Sequence, residues 1–171
     1  MPEKFVMLPA HARKRRVELE KRMVRLKEFA ETFPENRIEW GDKTRGFITS
    51  GVSYLYVKEA FPEASVLKLG MAYPFPDRMI RDFASQVQEL FIVEELDPFI
   101  ENHVKAMGIA CKGKELIPVM GELNSQIVRK SITGESAGEL FEPLKIPMRP
   151  PNLCAGCPHR GIFHAISKLK V

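Results

Sequence analysis

Between Asn36 and Lys130, short apolar runs alternate with stretches of helical periodicity, a rhythm that commits this part of the chain to βαβ units and a mostly parallel sheet. The strand candidates are Gly46-Phe47-Ile48-Thr49, Ser65-Val66-Leu67-Lys68-Leu69, Glu89-Leu90-Phe91-Ile92-Val93-Glu94 and Glu115-Leu116-Ile117-Pro118-Val119. Helical patterns fill Val52 to Phe61, Asp77 to Gln86 and Asp97 to Met107. Asp77 stands in a first turn, Asp97-Pro98 reads as an N-cap with proline at the first helical position, and Gly108 reads as a stop. Pro118 has no N–H to give a ladder, which places the fourth strand at or near a sheet edge.

Helices are therefore expected on both faces of the sheet. Right-handed crossovers bring the loops Ser50-Gly51, Gly70-Met71, Glu94-Glu95 and Met120-Gly121 to its carboxyl edge, where open α/β folds bind ligands. These loops do not announce catalysis. Ser50-Gly51-Val52-Ser53 is neither a dinucleotide fingerprint nor a P-loop and reads as a tight turn. Glu94 and Glu95 suit acid/base work, or more plainly the compensation of a helix N-terminus. Ser53, Tyr54 and Tyr56 have no His or Asp at a nucleophile-activating spacing.

Ahead of this region, Val17, Leu19, Met23, Val24, Leu26 and Phe29 recur among Arg and Lys, which predicts one long amphipathic helix from Pro9 to Ala30. Pro34 ends it by driving Phe33 out of the α region. The run His11-Ala12-Arg13-Lys14-Arg15-Arg16 opposes the macrodipole in the helix's first turns, so an acidic surface is expected against it. A net charge of +4 permits a nucleic-acid partner without demanding one, and a solvated or docking face is the simpler reading. An exposed apolar face on Val24, Leu26 and Phe29 would favour association. No apolar run approaches the roughly 20 residues of a membrane-spanning helix. Three cysteines without framework spacing, and no signal-peptide pattern at the start, point to a reduced, cytoplasmic chain.

After Lys130 the chain reads as loop: Thr133-Gly134-Glu135-Ser136-Ala137-Gly138 and Pro143, Pro147, Pro150 and Pro151 describe an extended linker. It leads to Cys154-Ala155-Gly156-Cys157-Pro158-His159-Arg160-Gly161 and a last amphipathic helix from Gly161. Two thiols at i and i+3 with an imidazole two residues on suit a soft metal, an iron–sulfur cluster or a dithiol switch. A zinc ribbon needs a second ligand pair, which Cys111 alone does not supply. A c-type haem needs His directly after the second Cys, where Pro158 intervenes. Inert thiols in a turn are the bland alternative.

Along nearly every residue, the chain resembles the middle of the α subunit of indolepyruvate ferredoxin oxidoreductase, a thiamine-diphosphate-dependent 2-oxoacid:ferredoxin oxidoreductase. The resemblance is carried by Leu8-Pro9-Ala10-His11-Ala12-Arg13, Gly46-Phe47-Ile48-Thr49-Ser50-Gly51, Leu69-Gly70-Met71-Ala72-Tyr73-Pro74, Val93-Glu94-Glu95-Leu96 and Arg149-Pro150-Pro151 followed by Cys154-x-Gly156-Cys157-Pro158-His159-Arg160. It implies three parts: a connecting helix over 1–36, an α/β domain similar to the transketolase C-terminal domain over 37–131, and a proline-rich linker with the start of a thiamine-diphosphate-binding domain over 132–171. It also implies His159 and Gly156 near the cofactor and Cys154 and Cys157 as metal or cluster ligands.

The family's intact enzyme converts arylpyruvates to aryl-acetyl-CoA with thiamine diphosphate, magnesium and iron–sulfur clusters, with ferredoxin and coenzyme A as partners. This chain shows no Gly-Asp-Gly to hold magnesium, no pyrimidine-binding domain and no ferredoxin-like cysteine runs. It is therefore expected to be inactive alone, as a fragment or subunit that needs the remaining domains and binds no cofactor stably by itself. The alternative is an independent α/β interaction module with a Cys-x-x-Cys metal or redox clip.

Overall fold

A computed structural model describes residues 1–135, 147–148 and 152–169, which fall into two compact units, Met1–Gly138 and Glu139–Val171. In chain order the elements are α1 (Pro2–Phe5), α2 (Pro9–Ala30), β1 (Arg37–Glu39), β2 (Asp42–Ser50), α3 (Ser53–Ala60), β3 (Ala64–Leu69), α4 (Asp77–Ala84), β4 (Glu89–Val93), α5 (Phe99–Ala106), α6 (Ser125–Thr133) and α7 (Pro158–Leu169). The sheet order is β1-β3-β2-β4. β2 runs parallel to both neighbours, with Phe47 opposite Val66 and Phe91, while β1 pairs antiparallel with β3.

Strand residues alternate between two buried faces, as a sheet covered on both sides requires. Phe47, Val66, Phe91 and Val93 pack with Val57 of α3 and Val128 of α6. Ile48, Leu67, Leu90 and Ile92 pack with Ile80 and Phe83 of α4 and Ile100 and Val104 of α5. On the first face Phe61, Phe47 and Phe91 form a row of stacked rings with centroids 5.0 and 5.4 Å apart. A glycine is needed at 46, where a Cβ would lie 2.7 Å from the methyls of Val87. The mostly parallel α/β architecture with helices on both faces, preceded by a long helix, is the one the sequence predicts.

α2 runs from Pro9 to Ala30 as expected and joins the domain at its C-terminal end. Buried Asn36 staples it there, donating from Nδ2 to the Ala30 carbonyl at 2.8 Å and accepting from the Met71 N–H at 2.8 Å. At the start of α2 no acidic surface among the described residues covers the basic run. Among the described residues, the ion pair of the run His11 to Arg16 is Arg16–Glu20, one turn along the same helix, and His11 lies 2.9 Å from the carbonyl oxygen of Val6, just past α1.

Other expectations are corrected. Residues 115–119 form turns rather than a strand; β4's outer edge instead makes a single parallel bridge to Lys112, and Ile117 drops into the core. Pro118 is why a ladder does not continue there. The fourth strand is β1, a short antiparallel edge strand that carries Arg37 and Glu39. Met120-Gly121 therefore follows no strand and does not belong to the carboxyl edge. The loop expected from Lys130 begins only at Gly134, because Asn124 caps α6 by accepting from the Ile127 N–H at 2.8 Å and Gly134, at φ 75°, ends it. The last helix starts at Pro158, three residues before Gly161. The expected linker through Ser136, Pro143, Pro150 and Pro151 lies outside the described residues.

Candidate functional site

The cysteine segment folds as a turn that feeds a helix. The Cys157 N–H donates to the Cys154 carbonyl at 3.1 Å, closing a four-residue turn whose third position, Gly156, has φ 82°. That conformation strongly favours glycine. Pro158 then opens α7, its missing N–H being no loss in the first turn. Cys157 stands immediately before this helix, with its Sγ 3.4 Å from His159 Nδ1, and His159 stacks with Phe163. Cys154 and His159 are exposed and Cys157 is half-buried. Of the residues singled out in the sequence, Cys157 and His159 meet, and Gly156 shapes the turn between the thiols. Among the described residues no group of three or more His, Cys, Asp or Glu is placed to hold a metal ion. The turn offers a thiol–imidazole pair beside a helix N-terminus.

At the carboxyl edge of the sheet, Glu94 takes the capping part expected of Asp97. Its carboxylate accepts the N–H groups of Ile100 at 2.8 Å and Glu101 at 3.0 Å, at the start of α5. Asp97 contributes only its carbonyl, to the Phe99 N–H. Burial pushes Glu94 above the usual carboxylate range despite those N–H groups and Lys114. Glu101, also buried, is held low against its own burial by Lys105 and by the Lys114 N–H. Cys111 lies half-buried nearby, and burial pushes its thiol up to about 11. Both glutamates thus stabilise α5, which leaves neither free as a catalytic acid or base.

α4 is capped from a distance in the same way. Glu31, just past α2, accepts the Arg78 N–H at 2.9 Å and the Met79 N–H at 3.1 Å. Beside this junction a pocket of about 360 Å³ opens between α2 and the loop after β3, lined by Met23, Val24, Tyr73, Phe75, Asp77 and His103 among others. Asp77 binds His103 Nε2 at 2.7 Å and Lys27, and Phe75 stacks on the His103 ring with centroids 4.0 Å apart. Burial raises Asp77, but Lys27 and His103 outweigh it and leave the carboxyl below its ordinary range. Sequence reading missed this site because it joins residues about 50 and 80 positions apart. The single local signal was Asp77, in a first turn.

The described residues thus give a mostly parallel α/β domain, followed in sequence by a Cys-x-x-Cys turn at a helix N-terminus. No protein-family model matches the chain. Over 98% of its length it is 37% identical to the indolepyruvate oxidoreductase subunit IorA of Archaeoglobus fulgidus, 36% to that of Methanothermobacter marburgensis and 34% to that of Thermococcus kodakarensis, covering 30% of each subunit. Nearly the whole chain is thus similar to one segment of the indolepyruvate oxidoreductase IorA subunits, and it spans about 30% of the length of the curated relatives it matches.

Proposed function

We propose that this chain is a non-catalytic part of an indolepyruvate, or more broadly arylpyruvate, ferredoxin oxidoreductase of the cytoplasm. The observation that carries the reading is 31–37% identity, sustained over 98% of the chain, to six IorA subunits. The intact enzyme would release CO2 from the 2-oxoacid, transfer the aryl-acetyl group to coenzyme A and pass the electron pair through iron–sulfur clusters to ferredoxin. Thiamine diphosphate with magnesium would supply the carbanion-stabilising centre. The described residues do not by themselves fit these groups: no acidic set is gathered for magnesium, and Cys154 and Cys157 supply at most two ligands to a cluster. No step is therefore assigned to them. The α/β domain serves as scaffold and interface, residues 132–171 open the cofactor-binding domain, and Cys154, Gly156, Cys157 and His159 lie near the cofactor once the other domains are present.

The test is a segment exchange, with this chain replacing the matching stretch of the Archaeoglobus fulgidus subunit in its complete enzyme. Expected are indolepyruvate-dependent reduction of a viologen dye that requires coenzyme A and thiamine diphosphate in the exchanged enzyme, and no turnover by the chain alone. A folded, correctly assembled exchange enzyme without activity would overturn the reading. One observation favours a second reading, an interaction module with a metal or redox clip: Cys157 at the N-terminus of α7, 3.4 Å from His159. That reading requires stoichiometric metal, or a Cys154–Cys157 disulfide, in the purified chain, together with an inactive exchange enzyme.

A further inference from the structure

The N-terminal part of α2 is basic out of proportion to the rest of the protein. Between Pro9 and Arg25 stand seven Lys and Arg against two Glu, an excess larger than the +4 of the whole chain. Both glutamates are engaged along the helix, Glu20 with Arg16 and Glu18 with Lys21. Arg13, Lys14, Arg15, Arg22 and Arg25 make no ion pair among the described residues. Positive charge concentrated in this way, with five of its seven cations in no ion pair among the described residues, is an electrostatic footprint for an acidic surface.

The same helix carries an apolar stripe. Val17 and Val24, seven residues apart and so on one side of the helix, are both more than half exposed, Val24 at 68%. Val24 also lines the pocket closed on its far side by Phe75, at whose mouth Tyr73 is 63% exposed. A volume of about 360 Å³ exceeds what one aromatic side chain fills and lies at the small end of ligand-sized clefts. An open socket on the helix that carries the unpaired arginines, with Glu20, Lys27, Asp77 and His103 among its apolar walls, matches the anatomy of a protein interface, where a buried anchor sits within a charged rim.

We propose that the Val17–Val24 stripe of α2 and the pocket between Met23 and Phe75 form one docking surface for an acidic protein partner, which seats an aromatic or aliphatic side chain in the pocket. The inference rests on charge and shape and stands whether or not the oxidoreductase reading holds. Duplex nucleic acid is the competing occupant. It would use the arginines but has no group for the pocket, so the apolar contribution separates the two.

The experiment uses the full chain and three probes: a glutamate–tyrosine random copolymer, polyglutamate of equal length and a short DNA duplex. Titration at moderate salt is expected to give the copolymer at least about tenfold tighter binding than polyglutamate. The exposed substitution Val24→Asp should abolish that preference, with Val24→Ser as the milder variant should the first fail to fold. Arg13→Glu with Arg22→Glu should weaken both polymers by about tenfold or more. The proposal is overturned if the chain binds no polymer, if the two polymers bind equally, if the preference survives both Val24 variants, or if the duplex binds more tightly than the copolymer.

Discussion

The Met1–Gly138 unit and the stretch 152–169 treat their apolar and ionisable side chains in opposite ways. In the first, Ile48, Ile80, Phe83 and Ile100 are fully or almost fully buried, Glu31 and Glu94 are bound to backbone N–H groups at helix starts, and Glu101 is bound to the Lys114 N–H. In the second, Ile162, Phe163, Ile166 and Leu169 are exposed along α7, and both thiols stand at the surface or half-buried in a turn. In the first, these side chains are committed to the fold. The second keeps chemistry available, as a site completed by other groups would. The difference is one of availability: the carboxylates named in the first are bound to backbone N–H groups, while the thiols of the second lie at or near the surface.

The largest expected effect tests the packing side of this contrast. Phe83 is fully buried on α4 and stacks with Trp40 at 5.4 Å, so Phe83→Ala should cost about 3–5 kcal/mol. The same change at Phe163, 54% exposed, should cost less than about 0.5 kcal/mol. Urea unfolding of the two variants measures both. Equal losses would mean that α7 is part of the packed core, and the contrast would fail.

Thiol reactivity comes next. At pH 8, with its thiol raised to about 11, Cys111 is ionised in only ~0.1% of molecules, since three pH units separate the two. Exposed Cys154 should therefore react with iodoacetamide on the order of a hundredfold faster than half-buried Cys111, as followed by mass spectrometry of peptides over time. Comparable rates would show that burial does not distinguish the two regions.

A smaller loss should follow from removing a cap. Glu31→Ala frees the Arg78 and Met79 N–H groups at the start of α4 and should cost about 1 kcal/mol. Glu20→Ala, at an exposed pair on the same α2, should change stability by no more than a few tenths of a kcal/mol.

How much of this was legible depended on how local the deciding contact is. Pro9 and Pro34 bracket α2 within one stretch of chain, and the apolar runs of β2, β3 and β4 are continuous because each strand is buried on both faces. The cysteine turn was legible for the same reason: its two thiols, glycine and imidazole lie within six residues. β1 was missed because three residues carrying Arg37 and Glu39 become a strand only through pairing with β3, some 30 residues on. Residues 115–119 misled because Ile117 is apolar on account of core burial rather than a ladder. The part of Glu94 at a helix N-terminus was legible from its place just before Asp97-Pro98, whereas Glu31 caps α4 from 47 residues away, where no local pattern places it.

The finest test is electrostatic and compares two carboxylates within the Met1–Gly138 unit. Burial raises the Glu94 carboxyl in the folded protein, so between its unfolded and folded pKa values the native state holds more protons than the unfolded one. Stability from this group is fully present below the unfolded value and is lost as pH rises through the folded one. Asp77, lowered in the folded state because Lys27 and His103 overcome its burial, has the opposite sign: its contribution is present at neutral pH and is lost as pH falls through its folded value. Unfolding midpoints measured from pH 2 to 7 should therefore show Glu94→Gln gaining on the parent as pH rises above the ordinary glutamate range and Asp77→Asn gaining as pH falls below the ordinary aspartate range. If both variants shifted in the same direction, the two carboxylates would share one environment, and the division between a carboxylate committed to a helix start and one poised at an open pocket would be lost.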